Sequence, residues 1–199
     1  MARLTRAEQQ RQTHDRLLAA GLAVLAKRGF LAATVEEIAA EAGYTRGAVY
    51  KHFGGKEGLW LAAMDAQAEA HLSMLDQALA EASDQQGLVR AMTPNAFADD
   101  EDAARWSVTA AEFVAAVARQ PETAAAVVAA QRKHEEQIIA VLDKHLRRLR
   151  LRPALPLPQV VVTLGVLGGG LALRRGMDPE VDVAAILAGV LAVVFPEEP

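Results

Sequence analysis

Residues 45–52, Thr-Arg-Gly-Ala-Val-Tyr-Lys-His, gather two permanent cations, an imidazole, a phenol and a hydroxyl on one short stretch. Wound as a helix, the stretch turns Thr45, Arg46, Gly47, Tyr50, Lys51 and His52 outward and Val49 inward. That face suits the major groove of a DNA duplex. Arginine reads guanine edges, Tyr, His and Lys hold phosphates, and Gly47 with Ala48 keeps bulk low so that the backbone comes close.

Other chemistry finds little footing. The chain has no cysteine, which excludes disulfides and cysteine-ligated metal and fits a reducing cytoplasm. No serine stands in a recognisable nucleophile setting. His134 and His145 would share a helical face about 16 Å apart, too far for one metal, and both are expected to be exposed. Glu135-Glu136 lacks the second histidine of a HExxH site. The run Asp99-Asp100-Glu101-Asp102 lacks the alternating ligands and glycine of a calcium loop, and reads as acids opening a helix. No metal or cofactor is expected.

The elements that must position the cationic face are short and strongly punctuated. Thr34 caps a helix and Glu37 completes a capping box, while Val35, Ile38, Ala39 and Ala42 give that helix one apolar side. Gly43 closes it in the left-handed conformation, Gly43-Tyr44 turns the chain, and Thr45 caps the next helix. Ala39 is small where the two helices cross. The bland alternative is a surface helical hairpin with no ligand.

At these residues the chain resembles the TetR family of bacterial transcriptional regulators. The resemblance rests on Gly29-Phe30 after a long first helix, Thr34, Ala39, Gly43, the segment Tyr50 to Phe53, and Lys56-Glu57 opening a fourth helix. It covers about the first 65 residues. What it implies is an all-α chain: a three-helix, helix-turn-helix DNA-binding domain at 1–55, joined by a long helix to a helical effector-binding and dimerisation domain at 56–199. The DNA-facing set is then Thr34, Thr45, Arg46, Gly47, Ala48, Tyr50, Lys51, His52 and Lys56, with Lys56 and the free amides of its helix at a phosphate.

Composition agrees with that class. The 199 residues are 52% apolar but only 5% aromatic, and alanine-rich chains favour helix. The net charge of −4 hides an asymmetry, because residues 1–56 carry nine bases against five acids and the remainder 12 against 20. A positive module seeks phosphates and an acidic body avoids them. The first residues have no apolar segment, so no signal peptide is expected. No stretch is expected to span a membrane, the nearest being Val160 to Leu173 before Arg174-Arg175.

In chain order, the first five residues read as an arm in which Arg3 and Arg6 are either minor-groove contacts or a solvated terminus. A helix from Thr5 to about Lys27 follows, with Phe30 entering a core with Val35, Ile38, Val49 and Phe53. A rod from Lys56 to about Ala82 comes next, Trp60 packing within it. Helices then run from Ala103 to Arg119 and from Pro121 to about Leu149. Arg147, Arg148, Arg150 and Arg152 sit where a helix C-terminus favours cations. Two apolar helices, Gln159 to Arg175 and about Val181 to Phe195, close the chain. Gly165, Gly168, Gly169 and Gly170 weaken the first of them, which close approach of another helix would offset, although a kink is the alternative. Leu164, Leu167, Leu171, Ile186, Leu187, Val190, Leu191 and Val194 form its expected seam, against a second copy or within one chain.

The resemblance implies that these last two helices build a four-helix homodimer interface, and that the bundle holds a small, apolar effector. Its expected lining is Leu75, Trp106, Thr109, Phe113, Val117, Val128 and Leu167. Two recognition helices would then read a palindromic operator, with half-sites about 34–36 Å apart or a multiple. Effector binding would lower operator affinity by linkage. The expected function is a ligand-released repressor, cytoplasmic and bacterial, and not an enzyme. An activator, a small-molecule binder without DNA activity, a bundle enzyme and a helical adaptor are the alternatives.

Overall fold

The computed structural model describes residues 5–93 and 101–196, the side chains of 101–104 excepted. The expected contact of Arg3 and the acids Asp99 and Asp100 lie outside the described residues. Every described element is a helix: α1 Arg6–Ala32, α2 Val35–Ala42, α3 Arg46–Phe53, α4 Lys56–Glu81, α5 Gln85–Met92, α6 Glu101–Val117, α7 Pro121–Leu149, α8 Leu157–Met177 and α9 Val183–Val194. The chain separates into two compact units, residues 1–67 with 108–127, and residues 68–107 with 128–199. This differs from the expected division at 55, and the aromatic residues of the first unit give the reason.

In the first unit Phe30 is buried, edge-on to Trp60 at 6.0 Å and to Phe113 at 5.0 Å. A single aromatic knot therefore recruits the second half of α6 to the helices α1 to α3, and the start of α4 with it. The turn at Gly29 (φ 76°, ψ 168°) drives Phe30 into that knot. Glu112 packs against the same glycine, where a Cβ would meet its Oε2 at 2.6 Å, and accepts a hydrogen bond from the Leu31 amide at 3.1 Å. Two further glycines admit close neighbours: Gly21 faces Leu59, and Gly58 faces the Phe53 carbonyl with no room for a methyl.

The second unit has a mainly aliphatic core of Leu79, Leu88, Leu142, Leu146, Val160, Val161, Leu191 and Val194, closed by Phe195. Its polar ties sit at helix ends. Arg148 donates to the carbonyls of Leu79 at 2.7 Å and Ala82 at 2.8 Å, answering the free acceptors that close α4. His145, expected to be exposed, is instead buried, with its Nε2 2.6 Å from Asp76 Oδ1. Lys144 donates to the same carboxylate at 2.8 Å, so Lys144 and then His145 hold Asp76 below the usual carboxylate range. Sequence spacing alone shows which helical face a histidine occupies, but not which faces of a long helix meet a partner.

Helix α8 has 21 residues, and an 18-residue window of it reaches a mean hydropathy of 1.4, enough to cross a bilayer by length and composition only, a test that core helices of other folds also pass. Only part of its surface is used within the chain: Val160, Val161 and Ala172 are buried, whereas Val162 and Val166 are exposed. Helix α9 repeats the pattern, with Leu187, Leu191 and Val194 buried and Ile186 and Val193 exposed. Of the expected seam, Leu187, Leu191 and Val194 close the core while Ile186 lies outside, on a face with Val162, Val166 and Val193, which were not expected in the seam.

Candidate nucleic-acid interface and cavity

Local sequence positions the candidate recognition helix tightly. Thr34 accepts from the Glu37 amide at 3.2 Å while Glu37 accepts from the Thr34 amide at 3.0 Å, a reciprocal capping box at the start of α2. These bonds from Thr34 hold the Glu37 carboxyl below its ordinary value, and Arg28 adds an ion pair at 2.8 Å. Gly43 adopts the left-handed conformation (φ 72°, ψ 28°). The amides of Gly43 and Tyr44 then reach back to Ala40 and Ala39, closing α2 before the turn. Thr45 begins α3 in extended geometry without a side-chain cap bond, which leaves its hydroxyl for another partner.

Val49 anchors α3 with no exposed surface, alongside Ile38 and Ala39 of α2. Opposite that anchor, Thr45, Arg46, Gly47, Tyr50 and Lys51 are exposed, with Ala48 and His52 half-buried at the margin and Thr34 exposed on α2. Arg46 is held in place before any ligand arrives. Its guanidinium pairs with Glu36 at 2.9 Å, donates to the Tyr50 hydroxyl at 3.3 Å and lies 5.2 Å from the Tyr50 ring centre. The Tyr50 bond and then the Glu36 charge push its pKa up. Glu36 is the residue that sequence reasoning missed; its signal is a carboxylate in the first turn of α2, ten positions before the arginine.

Two more expected contacts acquire neighbours. His52 stands beside α1, its ring 6.2 Å from that of His14, which itself packs 4.7 Å from Phe53. Burial, then His14 and Lys51, push the His52 pKa down, so the ring faces outward neutral at neutral pH. Lys56 is committed internally: Nζ donates to the carbonyls of Phe30 at 2.6 Å and Ala33 at 2.8 Å, and lies 4.5 Å from the Phe30 ring centre. The ammonium expected at a phosphate thus also closes the end of α1.

The second unit contains a cavity of about 930 Å³ between α4, α5, α7, α8 and α9. Of the seven residues expected to line a pocket, only Leu75 does so. Phe113 and Val117 are buried with the first unit, as is Thr109, while Val128 is largely exposed. Trp106 and Leu167 are half-buried and do not line the cavity. Helix α6 is divided between the two units, and the face bearing Thr109, Phe113 and Val117 lies with the aromatic knot. The walls come from residues such as Met74, Val89, Met92, Ile138, Leu164 and Leu187. Gly165, Gly168 and Gly169 lie along one wall, where an added Cβ would meet open space. Among the described residues no group of three metal-ligating side chains occurs.

Comparison with known proteins bears on the helix-turn-helix and on the fold separately. Residues 17–63 match the family model described as bacterial regulatory proteins, tetR family. Over 56 residues the chain is 50% identical to the HTH-type transcriptional regulator SrpR of Pseudomonas putida, covering 28% of this chain and 26% of that protein. It is equally identical over 56 residues to the uncharacterized HTH-type transcriptional regulator TtgW, also from Pseudomonas putida, covering 28% of this chain and 41% of TtgW. The chain therefore spans less than half the length of these relatives. A crystal structure of a TetR-family regulator from Rhodococcus sp. shares the fold over 92% of this chain and 97% of its own, with a TM-score of 0.72 at 21% identity. The capping box, the Gly43 turn and the exposed α3 face all lie inside the matched segment, so residues 17–63 form a helix-turn-helix module of the kind found in the TetR family of bacterial regulatory proteins, and the rest of the chain shares the fold of its structural neighbours.

Proposed function

We propose that the chain is a transcriptional regulator that binds a palindromic operator as a homodimer and releases it when a small apolar molecule enters the cavity of the second unit. The observation that carries the reading is the α3 surface, where Arg46, Tyr50 and Lys51 project from a helix locked from behind by Val49. Arg46 supplies base recognition, since its guanidinium has the fork geometry of a guanine edge. Thr45, Tyr50, Lys51 and His52 supply phosphate and groove contacts that set register.

One eight-residue recognition helix meets too few base pairs for specificity, which favours two copies. The outward apolar residues Val162, Val166, Ile186 and Val193 on the last two helices support a two-fold interface there, with Gly170 and Gly189 allowing close approach. A chain of this kind works in the cytoplasm, where its DNA is. Release follows from linkage: an effector preferring the state with poorer operator fit lowers affinity by the ratio of its own affinities for the two states. Repression is the simplest outcome of occupying an operator.

A mobility-shift titration with the DNA upstream of the chain's own reading frame tests this directly. Binding falls steeply with added salt, and Arg46→Ala loses about 1–3 kcal/mol on the cognate site with relaxed base preference. A flat salt response, or an Arg46→Ala protein with unchanged affinity and preference, defeats the proposal.

A further inference from the structure

The cavity in the second unit has an uneven charge character. Among its described lining residues only His71 and Arg90 are ionisable, and none is an aspartate or glutamate. Burial pushes the His71 pKa down, so this ring is neutral at neutral pH and leaves Arg90 as the permanent charge. Arg90 stands on α5, is exposed, and forms no ion pair among the described residues. The remaining walls are aliphatic side chains, methionines, the small residues of α8 and α9, and Thr93 beside the arginine. An apolar volume of about 930 Å³ whose described lining carries one guanidinium without an ion-pair partner among the described residues is complementary to one kind of molecule.

From this lining we infer that the effector is an amphiphilic anion, an apolar tail held by the cavity with an oxyanion head, carboxylate in the simplest case, on Arg90. The inference rests on the proposed role of the cavity and adds the charge class of its ligand. A guanidinium meets a carboxylate through two parallel hydrogen bonds, and the apolar walls strengthen that attraction by lowering the local dielectric. A cationic amphiphile finds no counter-charge and is repelled. A neutral one fills the same volume but leaves Arg90 to water. Gly168 faces open space in the cavity wall, so a larger residue there shortens the room for the tail without displacing another side chain.

The test uses the full chain and three probes of equal tail length: dodecanoate, dodecanol and dodecyltrimethylammonium, titrated calorimetrically below their aggregation limits and in the absence of DNA. The expected order of affinity is carboxylate, then alcohol, then ammonium. Arg90→Gln lowers dodecanoate affinity about tenfold, the scale of one charge-assisted hydrogen-bonded pair, and leaves dodecanol unchanged; Arg90→Lys restores part of the loss. Gly168→Leu weakens carboxylate and alcohol alike, which locates the tail. Ammonium binding at or above the carboxylate, or an unchanged preference in Arg90→Gln, overturns the charge assignment and leaves the cavity as an effector site. Failure of all three probes to bind overturns both. Operator binding, scored separately without any probe, stands or falls on its own.

Discussion

At the scale of single residues, the proposed DNA surface is a balance between contacts within the protein and contacts kept for a ligand. Arg46 is tethered by Glu36, whose carboxylate 2.9 Å away puts negative charge on the surface proposed to meet DNA. Glu36→Gln is therefore expected to tighten binding to cognate and random duplexes together, with a weaker salt dependence of the difference; a mobility-shift comparison in which affinity falls would show that Glu36 positions Arg46 more than it competes. Lys56 carries a second balance, because its two carbonyl contacts are internal. Lys56→Met should lower unfolding free energy by about 1–3 kcal/mol in urea titrations, in addition to any loss of DNA affinity. Unchanged stability would make those carbonyl bonds surplus. Protonation adds a third. His71 is exposed as a residue, yet its ring lies 6.1 Å from that of His134 and is desolvated enough to hold its pKa below 6.5. The unfolded chain then binds the proton more readily, so this stability is complete above about pH 6.5 and is lost as pH falls toward the folded value. Thermal melts at successive pH values should show a decline below that point, which His71→Gln makes shallower; His52 contributes in the same sense.

At the scale of elements, helix ends decide most of the geometry. The turn between α2 and α3 works because Gly43 takes the left-handed conformation at no steric cost and the preceding capping box fixes where α2 starts. The end of α7 solves the same problem less comfortably. Arg150 has φ 57°, and the Leu151 amide bonds the Leu146 carbonyl at 3.0 Å, so an arginine occupies the position usually given to glycine. Arg150→Gly should raise stability by up to about 1 kcal/mol, read as a higher urea midpoint with an unchanged slope. A lower midpoint would mean that the Arg150 side chain contributes more than its backbone costs. In α8 an added Cβ at Gly165, Gly168, Gly169 or Gly170 meets no described atom within 4 Å, so no described neighbour in the chain offsets their helical cost.

At the scale of the whole molecule, the two units carry different kinds of order: an aromatic knot of Phe30, Trp60 and Phe113 in one, and a mainly aliphatic core with a cavity in the other. Under the two-fold reading, Val166→Asp with Val193→Asp should yield a monomer in sedimentation velocity with little change in melting temperature, because both side chains are exposed in the chain and an aspartate strands charge only at an interface. Persistence of the dimer would move the interface elsewhere. The helical class, the starts of α2 and α4, the Gly29 and Gly43 breaks and the donor-rich face of α3 were all determined by the sequence. Caps, glycines and 3.6-residue periodicity act over a few positions, and nothing distant can rewrite them cheaply. Only tertiary structure decided that the second half of α6 packs against Phe30, that His145 is buried on Asp76, that Lys56 closes α1, and that Glu36 holds Arg46. Each of these depends on which face of one helix meets another far along the chain, a choice settled by the packing of complementary shapes, of which periodicity retains no record.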